Sequence, residues 1–367
     1  MARFTDLRSD TETISQVLNQ RNLVNRVINR TQNRIYGSHP WPFALDEAFF
    51  TTVDDYSTGT VTVAAGSTTV TGASTLFTAA MVGRKIRVGS DNAYYRISAF
   101  VSTTELTLEA PYQGSLTSGN TYVVYQDEYR LRADVDVQHF YRQIQQGIAL
   151  VDVDPGDFDI NYPTQTAFGD PTVIAPIGTR RDTYSTGTVS ASSKTITGVS
   201  TAWLDVQGLS RGSRIRIGDN VYTVKSVDSA TQLTVFETVT TVAAGQTYVI
   251  FLDNIRVILK SIPDAARNIY YRFYRKPTPL VNDYDEPDLP ETMQYLLPLG
   301  SLTELYQFKN DVEKSILNEK EFEAGIQKWK VHYRSQTRVY QRFPQGSGTR
   351  SFQPRFPQGT DIRAHAP

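Results

Sequence analysis

The 367-residue chain contains no cysteine. That removes disulfides, thiolate metal sites and cysteine nucleophiles together. Histidine is scarce: His39, His139, His332 and His365 stand apart, without the spaced partners of a zinc helix. No run approaches the roughly 18 consecutive apolar residues of a membrane-spanning helix, and Met1-Ala2-Arg3-Phe4-Thr5-Asp6 has no signal-peptide core. The expectation is a chain made in a cytoplasm and dissolved there. Net charge is nearly absent too, at −1, which excludes a polycation built to coat nucleic acid and leaves electrostatic work to local patches.

Catalytic signals are equally thin. Gly72-Ala73-Ser74 and Gly198-Val199-Ser200 start like a nucleophile elbow but lack the closing glycine, so they read as turns. Gly83-Arg84-Lys85 has neither the spacing nor the hydroxyl of a phosphate loop. Asp152, Asp154, Asp157 and Asp159 suggest calcium, but Pro155 and Gly156 break the helix–loop–helix template. No carboxylate pair stands out for glycoside hydrolysis. The reading is a non-enzyme with no cofactor and no metal.

What the chain does have is a passage written twice. Tyr56-Ser57-Thr58-Gly59-Thr60-Val61 returns as Tyr184-Ser185-Thr186-Gly187-Thr188-Val189, and Ile86-Arg87-Val88-Gly89 returns as Ile215-Arg216-Ile217-Gly218. Gly119-Asn120-Thr121-Tyr122-Val123-Val124 returns as Gly245-Gln246-Thr247-Tyr248-Val249-Ile250. Two copies are too few for a solenoid. Short alternating strands punctuated by glycine predict a compact barrel of five or so strands for each copy, since closure also protects strand edges.

Around the copies, Ser9-Asp10-Thr11-Glu12 has capping-box spacing, and Leu23, Val24, Val27, Ile28 and Ile35 mark a helix closed by Gly37 as a left-handed cap. Ala48–Val53, Tyr129–Leu131, Thr172–Ala175, Ile255–Leu259 and Ile269–Tyr274 read as strands, so each copy leaves a host strand and returns at an adjacent one. Val137, Phe140, Tyr141 and Ile144 predict a short helix ending near Gly147. Asp288 and Glu291 predict a helix start with a kink at Pro298, and Val312, Ile316, Phe322, Ile326, Trp329 and Tyr333 mark a further amphipathic helix.

Three groups of cations are candidate sites. Arg26, Arg30 and Arg34 recur every fourth residue, as a solvated face or a stripe for an anionic neighbour or DNA channel. Arg84, Lys85 and Arg87 in the first copy and Arg211, Arg214 and Arg216 in the second are wet-face residues or docking patches. The third group lies in the tail from Ser335, where Arg342-Phe343-Pro344-Gln345-Gly346 returns as Arg355-Phe356-Pro357-Gln358-Gly359. Phe343 and Phe356 are suited to apolar pockets, with Arg342 and Arg355 on rim carboxylates.

With the copies removed, the rest resembles the head-to-tail adaptor (connector) proteins of tailed bacteriophages. The resemblance rests on Leu23–Arg30, Trp41-Pro42 with Ala48–Val53, Tyr129–Val135, the Gly169-Asp170-Pro171 turn, Tyr270–Pro277, and Asp288–Glu291 leading into Leu302–Tyr306. The copies are similar to small β-barrels of phage virion proteins. The fold class expected from it is α+β: a helical adaptor core with a small β-sheet, two inserted duplicated β-barrel domains and an extended C-terminal arm. Its boundaries are core at 1–53, 128–183 and 253–334, barrels at 54–127 and 184–252, and the arm at 335–367. The resemblance implies a virion protein forming a ring, commonly of twelve subunits, beneath the portal. Double-stranded DNA would pass through without sequence-specific binding, the arm would reach the portal, and tail, nozzle or fibre proteins would attach below. The competing expectations are a tail-fibre or receptor-binding protein and a virion-associated hydrolase, the latter requiring a carboxylate or histidine constellation that the sequence does not display.

Overall fold

The structure, a computed structural model, describes residues 2–17, 20–89, 93–115, 117–145, 148–163 and 166–340. It corrects the expected fold class. Among the described residues strands take 38%, in four sheets, and helices 27%, so a helical core with a small sheet is not what the barrels are inserted into. Between and around them lie two four-stranded sheets.

The first barrel closes through one bent strand. Thr60–Val63 pairs with Thr69–Ala73 on one side and Thr117–Asn120 on the other. Past Thr121 the chain continues as Tyr122–Tyr125, which pairs with Lys85–Val88. Tyr95–Ser102 and Glu105–Leu108 complete the ring back to Thr69–Ala73. The second barrel closes the same way, where Gln246 and Tyr248 flank the bend. Its hairpin is tighter: Thr188–Val199 runs as one strand with Ser193 in the left-handed region (φ 56°), where the first copy makes an Ala64–Thr68 turn. Each barrel has its own apolar core, around Val70, Ile86, Leu106 and Val124 in one and Ile196, Trp203, Ile215 and Leu233 in the other.

The host sheets pair strands far apart in sequence. One sheet joins Leu45–Thr51 to Asn268–Arg275 and then Val135–Gln145; the other joins Val173–Thr179 to Ile255–Lys260 and then Glu128–Arg130. Phe50, Tyr129, Leu131, Val257, Leu259, Tyr271 and Phe273 form the core they share. Val135–Gln145 replaces the helix expected over Val137–Ile144. The second barrel does leave and return at adjacent strands, with Thr179 opposite Ile255. The first does not: it leaves one host sheet and returns in the other. Its two ends still meet across the core, where Phe50 stacks on Tyr129 (5.1 Å) and the Val53 N–H donates to the Tyr129 hydroxyl (3.2 Å).

A pseudo-twofold relates the copies. Counting on from the equivalent Tyr122 and Tyr248 makes Arg130 the counterpart of Arg256, and these two residues face each other in the antiparallel host pair. The barrels therefore feed into one strand pair from opposite ends. Repetition extends past the barrels into the host.

Helices α1 (Phe4–Ser15), α2 (Arg21–Gly37), α4 (Leu296–Phe308) and α5 (Val312–Tyr340) pack as a separate group; α3 (Pro155–Asn161) lies on the host sheet. α1 starts before the expected capping box, with the Arg3 N–H donating to Asp6 (3.0 Å), and Ser9 lies inside it. Gly37 ends α2 without a left-handed cap, the cap being Ser38 in right-handed geometry. Asp288 starts no helix; it accepts from Arg275 (3.0 Å), and a 3-10 turn at Glu291–Met293 precedes α4. Pro298 falls in the first turn of α4, where no intrahelical donor is lost, so the expected kink has no cause. Gly300 lets α4 approach its neighbours, because a Cβ there would sit 2.6 Å from Thr31 and 2.7 Å from the Phe322 ring. α5 runs past the boundary expected at 334 as far as Tyr340.

Candidate functional site

The repeated signature holds each barrel shut. The Tyr56 hydroxyl accepts from the Leu76 N–H (2.6 Å), and that of Tyr184 accepts from the Ala202 N–H (3.0 Å). Tyr122 donates to the Thr58 carbonyl and Tyr248 to that of Thr186, both at 2.6 Å. Gly59 and Gly187 share φ +84°, and a Cβ at either would lie 2.4 Å from a backbone oxygen. The elbow-like serines Ser74 and Ser200 are turn residues at φ 57°. These twice-written residues are spent on folding.

The barrel cations divide. Lys85 is buried, binding Asp127 and Glu128 at 2.9 Å each, with the exposed Tyr94 ring covering its ammonium at 4.4 Å. Burial works against the Lys85 ammonium, but Asp127 and Glu128 outweigh it and raise its pKa. Burial is also the largest influence on Asp127 and pushes its carboxyl up. For Glu128, burial alone would raise the carboxyl, but Lys85 and Arg96 hold it at about 2. Arg84 donates to the Ala80 carbonyl (3.1 Å) and Arg87 lies over Tyr125 (5.5 Å). Arg211 is tied to Thr278 and lies 3.9 Å from Asp288, which docks the second barrel on the host. Lys85 and Arg211 are thus internal fasteners. Arg214 and Arg216 are exposed; Arg214 pairs with Asp253 (2.6 Å).

Sequence reading missed the network around Glu128. Arg96 (3.0 Å) and Arg256 (2.8 Å) also bind it; Arg96 reaches Glu109, Glu109 meets Arg180, and Asp182 joins Arg180 to Arg130. This chain of charges runs from one barrel past the pseudo-twofold to the other. Its signal was the equivalence of Arg130 with Arg256, each eight residues past the repeated Tyr122 and Tyr248.

The helix stripe is exposed, but two of its three arginines are ion-paired within the chain. Arg30 binds Glu304 (2.7 Å) on α4, and Arg34 binds Glu319 and Glu323 (2.7 Å) on α5 while lying 4.6 Å from the Phe322 ring. Arg26 is exposed beside Asn25, Asn29, Arg30 and Asn33. Arg342, Phe343, Arg355 and Phe356 lie outside the described residues. Asp154 caps α3 through the Gly156 N–H (2.9 Å), and no cluster of three His, Asp or Glu residues fit for an ion occurs among the described residues. No described helix is long and apolar enough to cross a membrane.

Exposed apolar side chains form the remaining feature. Phe308, Val312, Ile316 and Leu317 flank the α4–α5 turn, and Leu45, Phe49 and Tyr270 lie on the outside of the host sheet, with Phe49 and Tyr270 in ring contact at 5.5 Å. No protein-family model matches the chain, and no curated protein or solved structure matches it either.

Proposed function

We propose that this chain is a structural virion subunit of a tailed bacteriophage, forming a ring that joins portal to tail and continues the DNA channel. The observation that carries the reading is exposed apolar surface on rigid elements: Phe308, Val312 and Ile316 at a helical hairpin, and Leu45, Phe49 and Tyr270 on a sheet. Large apolar side chains left exposed together on one element fit a face that another protein covers. The ionic clusters support the same reading, because they hold barrels, host sheets and helices to one another. The resemblance to connector proteins supplies the ring, commonly of twelve, and the portal as partner of the C-terminal arm. DNA is contacted by the assembled channel without reading of sequence.

A tail-fibre or receptor-binding role is the second reading, favoured by the two closed barrels. Electron microscopy of the purified chain, alone and mixed with candidate portal, separates them. The proposal expects a ring, alone or on the portal. Trimeric rods would favour the fibre, and isolated small particles in both samples would overturn assembly altogether.

A further inference from the structure

One face of the second barrel is open where its counterpart on the first is covered. In the first barrel Lys85 and Tyr125 are register partners on the outside of the wall, yet both are buried. Phe168 packs edge-on against Tyr125 (6.2 Å), and Tyr94, Asp127 and Glu128 surround the ammonium. The repeat puts Arg214 and Phe251 at the same positions of the second barrel, again as register partners. There Arg181, Arg214 and Arg216 surround the Phe251 ring at 5.8, 5.7 and 5.8 Å. All three arginines are exposed. Asp253 pairs with Arg214 alone, and Arg181 and Arg216 have no ion pair among the described residues. Exposed Val221 lies opposite Arg216 across the strand pair, and Glu237 at the margin accepts the Thr223 N–H (2.7 Å).

We propose that this face docks the α3 segment, Val151–Ile160, of a second copy of this chain. The segment carries the complementary chemistry: Asp152, Asp154, Asp157 and Asp159, none of them ion-paired among the described residues, between Val151 at 59% and Ile160 at 77% exposure. Phe158 anchors it on Val173 and Ala175, so it is presented rigidly. Guanidiniums over an aromatic ring, with a valine alongside, suit an acidic protein surface with apolar anchors. A phosphodiester backbone would leave Val221 and Ile160 unused. Donor and acceptor surfaces differ, so the contact is head-to-tail, the kind that closes rings or runs on as filaments. The inference rests on the ring reading and names one of its contacts.

Sedimentation velocity of the full chain at low and high salt tests it, with circular dichroism as the check on folding. The double variant Arg214→Glu/Arg216→Glu should weaken self-association at least tenfold, as should Asp157→Lys/Asp159→Lys, and wild-type assembly should fall with salt. An equimolar mixture of the two variants should assemble again, because every contact regains opposite charges. A ring that survives both reversals overturns this contact and leaves the ring reading standing. A wild type that stays monomeric alone and with portal overturns both. Loss of duplex-DNA binding in Arg214→Glu/Arg216→Glu with assembly unchanged assigns the face to nucleic acid and overturns the proposal.

Discussion

The duplication supplies an internal control for the energetics of burial. Lys85–Asp127 and Arg214–Asp253 are the same pair in two copies, but side-chain exposure is 5% and 5% in the first, against 44% and 37% in the second. Lys85→Met strands Asp127, whose Oδ1 already lacks a hydrogen-bond partner. Removing one partner of a buried pair costs about 3–5 kcal/mol. Arg214→Met breaks a wet pair, for about 0–1 kcal/mol. Hydrogen exchange by mass spectrometry reads both barrels in one molecule, through peptides covering Lys85–Val88 and Arg214–Ile217. Lys85→Met should speed exchange in its own barrel by roughly two orders of magnitude or more, while Arg214→Met should change its barrel by less than about tenfold. Adding Asp127→Leu to Lys85→Met should recover much of the loss, since the stranded charge is gone. Equal effects in the two barrels, or a Lys85→Met effect below tenfold, would refute the reasoning.

Other outcomes follow from the same structure. Glu128, held at about 2 against an ordinary 4.5, contributes stability that is full above about pH 4.5 and is lost as pH falls toward 2. Glu128→Gln should therefore flatten the acid limb of a pH-dependent unfolding series. Gly59→Ala and Gly187→Ala should each destabilise their barrel by about 1–3 kcal/mol from backbone conformation alone, more with the clash, as read by denaturant unfolding. Trp41→Ala should cost about 3–5 kcal/mol in the helical group, because the ring is fully buried there. Charge reversal at Arg34 should loosen α2 from α5 and be felt in stability, whereas Arg26→Glu should leave stability unchanged. Deletion of residues 341–367 should preserve the circular dichroism of the body and abolish binding to portal.

The barrels were legible because turn glycines and period-two strands were written twice, and the Tyr-Ser-Thr-Gly-Thr-Val opening makes the same contacts in both copies. The host strands were legible singly. Their sum was not, since Leu45–Thr51 finds its partner at Asn268–Arg275 and no local pattern says so. The failed helix over Val137–Ile144 has a physical cause. Val135–Gln145 shifts register between Val135 and Phe140 and again between Phe140 and Gln143, and such bulges break the period of two, leaving apolar spacing that imitates a helix. Among candidate sites, alternation put Arg87 and Arg216 opposite their apolar neighbours; Arg216 is exposed, while Arg87 is half-buried over Tyr125. Alternation could not reveal that Lys85, the counterpart of Arg214, is roofed over by Tyr94 and two carboxylates. Arg30 and Arg34 kept the helical spacing expected of them, but their partners, Glu304 and Glu319, lie more than 270 residues away in the chain.

Native mass spectrometry of the purified chain across a concentration series tests the central claim most directly. A closed assembly of fixed subunit number, expected at twelve and persisting on dilution or in the presence of portal, is the predicted result. A chain that remains monomeric with and without portal, or stops at a trimer, would contradict it.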